Sequence, residues 1–221
     1  MDLLDRLVAA YSGAADPANA APMRKYMRDR YPFLGIQSTR RRELDRTVRA
    51  GQPPPTGDDL RAVALACWEL PEREYRYFAC DHLRRYARVL TPGFLPTARY
   101  LIVTDSWWDT VDTLAAHTVG PIVAHHPETV ATMDDWIAGD HLWLARTAML
   151  HQLTYKEKTD PDRLFRYARR LAGNPDFFAR KAVGWALRQY AWTDPDAVRG
   201  FLAAHELSPL SMREAGKNLR R

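Results

Sequence analysis

Ser106-Trp107-Trp108-Asp109-Thr110-Val111-Asp112 places two indoles and two carboxylates within seven residues. If the segment is helical, Trp108 and Asp112 stand four residues apart and share one face, a turn from each other. A polarisable ring beside an acceptor-only carboxylate suits the recognition of positive charge. Packing alone rarely selects that pair, because an unpaired inward carboxylate is costly. On the residues alone a plainer alternative stands beside this one: one indole is core, and both Asp side chains are solvated or salt-bridged.

The elements that carry these residues follow a beat. A cap-like residue followed by proline recurs at Thr91-Pro92, His126-Pro127, Asp160-Pro161 and Asp194-Pro195, at intervals of 35, 34 and 34. Asn174-Pro175 and Ser208-Pro209 form a second series, also 34 apart. Proline at the first helical position is a start signal, since the N–H it lacks would be unpaired there anyway. Between these marks lie Trp143-Leu144-Ala145-Arg146, Phe177-Phe178-Ala179-Arg180 and Leu210-Ser211-Met212-Arg213, with their arginines 34 and 33 apart. Trp107 extends that series backwards. A period in this range marks a solenoid built from helix pairs, each burying its apolar face on its neighbours. With few alternating β-branched runs and no Asn-Gly or Asp-Gly turn, the expectation is an all-α solenoid. Equivalent second helices of such an array line one surface, which would bring the neighbourhoods of Trp108, Arg146 and Trp185 together.

Charge is concentrated. The chain of 221 residues carries a net +5, yet residues 24–49 hold nine Lys/Arg against three acids, and residues 163–188 hold seven against one. Each window nets +6, so the remainder is acidic and a polyanionic partner is suggested. Either window alone also reads as a solvated helix face. Cys67 and Cys80 are too few and wrongly spaced for a structural zinc site or a disulfide scaffold, which fits a reduced compartment such as the cytoplasm. Met1 to Val8 reads as an amphipathic helix with early acids, unlike a signal peptide, and no apolar run approaches the ~20 residues of a membrane span. His125-His126 reads as surface or capping. The length suits one domain over residues 1–221, with 1–50 as a basic helical cap and Gln52-Pro53-Pro54-Pro55 as a stiff linker to the array.

Tyr26-Met27, Tyr31-Pro32-Phe33-Leu34-Gly35-Ile36, the Ser106–Asp112 segment, Trp143–Arg146, Leu153-Thr154-Tyr155-Lys156 and Phe177–Tyr190 together resemble the DNA alkylation repair family, the AlkD-like DNA glycosylases. The resemblance runs over nearly the whole chain. It implies a right-handed superhelical solenoid of HEAT-like antiparallel helix pairs with a basic groove for duplex DNA. It implies excision of N3- and N7-alkylated purines by a protein that needs no metal or other cofactor and does not depend on flipping the base. A monomer is expected. Carried across, Asp112 matches the family's catalytic carboxylate, Trp108 and Trp185 its two aromatic contacts to the lesion nucleotide, and Arg146 the arginine beside the carboxylate. Arg188 and Tyr26 match further DNA-contacting positions, and Lys156 and Lys181 complete the expected DNA-binding set.

These residue types make chemical sense. A purine alkylated at N3 or N7 is already cationic and departs as a neutral base, so one carboxylate suffices where glycoside hydrolysis ordinarily uses two. Asp112 would stabilise the oxocarbenium-like sugar and orient water. The two indole faces would hold a cationic nucleotide without a base-shaped slot. Arg146 either contacts phosphate, holds Asp112 ionised, or forms an interrepeat salt bridge. Two alternatives stay open: a non-catalytic helical scaffold, and a binder of branched or otherwise unusual nucleic acid. Both leave Trp108 and Asp112 without a task.

Overall fold

The computed structural model describes residues 2–219, and every regular element among them is helical. The chain divides into two compact units, Met1–Val89 and Leu90–Arg221. No described helix is long and apolar enough to cross a membrane.

The first unit holds α1 (Leu3–Ser12), α2 (Pro17–Tyr26), α3 (Ser38–Arg49), α4 (Gly57–Glu69) and α5 (Arg73–Arg85). Helices α1, α3, α4 and α5 enclose a core of Leu7, Tyr11, Val48, Leu60, Phe78 and Leu83. The buried Asp45 accepts from the Tyr11 hydroxyl at 2.6 Å and pairs with Arg41 at 3.2 Å, while Arg41 also reaches Asp81 at 2.8 Å. Arg41 therefore spends its charge inside the protein. The turn after α2 is built around Glu74, which is fully buried and accepts from the backbone N–H groups of Leu34, Gly35 and Ile36 at 3.1, 2.8 and 3.1 Å. Gly35 has φ +90, and a Cβ there would lie 2.0 Å from the Asp16 carbonyl oxygen, so only glycine closes this turn. The proline run expected as a linker connects α3 to α4 inside this unit. It joins two helices of one core, so it separates nothing.

The second unit holds α6 (Leu95–Val103), α7 (Trp108–Leu114), α8 (Gly120–His125), α9 (Val130–Ala138), α10 (Leu142–Leu150), α11 (Pro161–Leu171), α12 (Phe177–Tyr190), α13 (Pro195–Ala204) and α14 (Pro209–Ala215). Helix pairs α9–α10, α11–α12 and α13–α14 follow the proline beat. Within the unit α7 packs on α10, α10 on α12, and α12 on α14, so the second helices form a continuous row. The start signals operate as expected at three sites, where Asp160, Asp194 and Ser208 accept from backbone N–H groups three residues on and proline takes the first helical position. Pro92 and Pro127 instead open short 3₁₀ turns that run directly into α6 and α9. Asn174-Pro175 departs from the expectation. Helix α12 starts two residues later, at Phe177, because Asp176 provides the cap by accepting from the Phe178 N–H at 2.6 Å. Asn174 only turns the chain, accepting from the Asp176 N–H at 2.9 Å.

Candidate active site

Helix α7 starts late in its segment, and that choice separates the two indoles. Trp107 has extended backbone and precedes the first helical residue. Its ring points inward, 8% exposed, with centroids 4.9 Å from Phe178 and 5.9 Å from Trp143. Trp143 and Phe178 are themselves 5.0 Å apart, so one aromatic residue from each of three successive repeats closes the cluster. Trp107 is thus core, and it fixes where α7 begins. Trp108 opens the helix and is half-buried, and Asp112 follows one turn later on the same face.

Asp112 is held from the next repeat. The Arg146 Nε donates to Asp112 Oδ1 at 2.7 Å, and the second guanidinium nitrogen donates to Oδ2 at 2.8 Å. The third guanidinium nitrogen donates to the Phe178 carbonyl oxygen. One side chain therefore ties α7, α10 and α12 together. Arg146 is 3% exposed and Asp112 13%, so the guanidinium is sealed while the carboxylate keeps an open side. Burial pushes the Asp112 carboxyl above the usual carboxylate range, and the Arg146 hydrogen bonds and charge pull against that rise. An ionised carboxylate has about four lone-pair sites, and Arg146 occupies two of them. The remainder can face a cationic centre or a water molecule.

A sequence profile of DNA alkylation repair enzymes matches residues 7–219. The chain belongs to that family. The chain is also similar to a solved structure described as a predicted DNA alkylation repair enzyme from Enterococcus faecalis, at 29% identity and TM-score 0.86, covering 94% of this chain and 97% of the other. AlkD2 from Streptococcus mutans shares the fold at 17% identity and TM-score 0.60, over 84% of this chain and 89% of that one. No curated protein sequence matches the chain.

The other residues singled out in this alkylation repair protein lie as follows. Trp185 is half-buried on α12, seven residues beyond Phe178, hence about 10 Å farther along the helix axis. Lys181 and Arg188 lie on the same helix and both engage Glu214 of α14, at 2.7 and 3.0 Å. Lys217 joins them at 2.8 Å. Burial raises the Glu214 carboxyl, but Lys181 and Lys217 outweigh it and hold the pKa at about 2. Helix α14 comes this close because residue 184 is glycine: a Cβ there would lie 2.5 Å from the Glu214 Cβ. Lys156 is exposed at a left-handed backbone position, φ +54, in the turn after α10. Tyr26 ends α2 in the first unit and is 74% exposed.

Neither basic window belongs to a single helix. Arg163, Arg166, Arg169 and Arg170 belong to α11, whereas Arg180, Lys181 and Arg188 belong to α12. Arg163 and Arg166 pair with Asp160 and Asp134. Arg40 and Arg41 of the first window pair with Glu43, Asp45 and Asp81. The role of Glu214 is not legible in the sequence, because its three partners are scattered from 181 to 217 and only the docking of α14 gathers them. The only signal was its place in the repeat segment beside Arg213. Among the described residues no group of three His, Cys, Asp or Glu side chains gathers as a metal site.

Proposed function

We propose that the protein is a DNA glycosylase that releases cationic N3- and N7-alkylated purines from duplex DNA. The observation that carries this reading is the Asp112–Arg146 pair: a carboxylate aimed by a sealed bidentate guanidinium, open on one side, one turn from a half-buried indole. As the glycosidic bond lengthens, positive charge moves from the base to the sugar, and a fixed anion stabilises that charge most in the transition state. Arg146 favours the ionised form of Asp112 and fixes its orientation, so little reorganisation is needed as the reaction proceeds. Trp108, with Trp185 on α12, offers electron-rich faces to a cationic nucleotide. The alkylated base leaves neutral, so no general acid is required.

The test is one duplex sequence carrying a methyl adduct, a bulky cationic N7 adduct, or a neutral lesion such as an etheno-adenine or uracil at the same position, scored for free base. Both cationic adducts should be released. The neutral lesions should be excised poorly, because their departure demands a proton that this group of residues does not supply. DNA binding without release of any base would favour the reading as a binder of unusual nucleic acid. Efficient release of the neutral lesion would show a base pocket with its own acid and overturn the mechanism.

A further inference from the structure

We propose that Pro121, Thr154 and Tyr155 are positioning residues for Asp112, acting through a wide turn in the helix that carries it; the activity arm of this inference rests on the glycosylase reading. Helices α7 and α8 are one continuous helix from Trp108 to His125, interrupted by a π-type turn over Ala115–Val119. There the Gly120 N–H reaches back five residues to the Ala115 carbonyl oxygen, where an α-helix would reach back four. The next residue supplies the cause. Pro121 has no N–H, and its ring would press on the carbonyl four residues back, that of His117. Widening the turn relieves that contact.

The wide turn leaves a carbonyl without its helical donor. In the five-residue pattern the Ala116 carbonyl would accept from residue 121, which is proline. Thr154 Oγ1 donates to it instead, at 3.4 Å. Tyr155 donates its hydroxyl to the Gly120 carbonyl oxygen at 2.6 Å. The same stretch of chain abuts residue 120, where a Cβ would lie 2.4 Å from the His151 carbonyl oxygen. Residues 151–155 therefore clasp the widened helix from the end of α10, the helix that carries Arg146. Thr154 and Tyr155 thereby link the helix that carries Asp112 to the end of the helix that carries Arg146.

The consequence is rotational. Each residue of an α-helix turns the chain by about 100°. A wide turn takes up one extra residue, so winding the same sequence as a regular α-helix would turn Asp112 by about 100° relative to α8. Helix α8 cannot follow, since rolling it would bring a side chain against the His151 carbonyl. Asp112 would leave Arg146.

Pro121→Ala restores the N–H and removes the residue least suited to a helix interior. A proline with only a packing role predicts a variant at least as stable and fully active. The positioning role predicts that single-turnover base release by Pro121→Ala, measured where the variant is folded, falls by about tenfold or more. The double variant Thr154→Val/Tyr155→Phe should lose activity similarly, with unchanged affinity for the methylated duplex. A second readout needs no activity: Asp112→Asn should lower the melting temperature of the parent by several degrees, and should cost almost nothing in Pro121→Ala, where the pair is already parted. Parent-like excision by Pro121→Ala, together with the full cost of Asp112→Asn in that background, overturns the inference. If Pro121→Ala does not fold, the Thr154/Tyr155 double variant takes its place in both measurements. If the parent releases no base, the glycosylase reading falls and the melting comparison alone decides the positioning role.

Discussion

Replacing Asp112 by Asn keeps the shape of the side chain and changes what meets Arg146. The remaining oxygen can still accept from one guanidinium N–H, but the new NH₂ group faces a second N–H, donor against donor. A guanidinium 3% exposed then carries an uncompensated charge. Breaking a buried pair costs about 3–5 kcal/mol. Because the Arg146 bond to the Phe178 carbonyl survives and Asp112 is partly open, the low end, about 3 kcal/mol, applies here. For a chain of this size that is roughly 6–12 °C in melting temperature. The effect on chemistry is separate. Loss of a fixed charge that stabilises the transition state lowers the rate by about 10²–10³. A domain stable by about 5–15 kcal/mol that loses about 3 stays largely folded at 25 °C, so unfolding cannot account for a hundredfold loss. The assay is single-turnover release of base from N-methylated duplex at 25 °C with enzyme in excess, beside a thermal melt and a binding isotherm. Excision at the parent rate would refute the role of Asp112. A loss that only tracks the unfolded fraction would reduce Asp112 to the structural half of an ion pair.

The indoles should separate in the same assays. Trp107→Ala empties the three-ring cluster and should cost about 3–5 kcal/mol of stability. Trp108→Ala and Trp185→Ala should depress excision more than melting temperature, and early melting with full activity in the folded fraction would mark either ring as packing. The acid limb of the single-turnover rate should have its midpoint above the ~3.9 of a free Asp, because burial raises the Asp112 carboxyl, and base release falls as pH drops through it. A midpoint at or below the free value contradicts the buried setting. Affinity for duplex DNA should fall linearly on a log-log salt plot, and Arg188→Gln should make the slope shallower by about one unit if Arg188 leaves Glu214 for a phosphate. An unchanged slope would assign Arg188 to the Glu214 cluster alone.

The proline beat was legible because a capping residue and a proline act within one turn, so the signal needs no tertiary information. Where two caps compete, locality also misleads: Asn174 and Asp176 both fit, and only the geometry shows Asp176 taking the Phe178 N–H. The joining of Asp112 to Arg146 was legible in outline, since the repeat register gathers second helices on one surface and the family resemblance sets an arginine beside the carboxylate. Its bidentate form was not, because that depends on the phase of α7. The wide turn that sets this phase could not be read, for Gly120-Pro121 looks like the end of a helix and here lies inside one. Charge counting lacks tertiary information for a related reason. It treats Lys181 and Arg188 as available, although their carboxylate partner lies 26 residues beyond Arg188 and arrives only with α14.

Arg146 then answers a question that stability alone leaves open. Taking two charges out of water costs about as much as their attraction returns, and a well-packed apolar pair in their place is often neutral or stabilising. The pair is thus poorly explained as a device for holding α7, α10 and α12 together, since the cluster of Trp107, Trp143 and Phe178 already joins the same three repeats without a desolvated charge. An apolar substitute would remove the one thing the aromatic cluster cannot supply, a carboxylate whose ionised form Arg146 favours against the rise that burial imposes. Sealing the guanidinium and leaving the carboxylate open makes the cation serve the anion. That asymmetry favours the proposed site for positive charge over a purely structural interrepeat salt bridge.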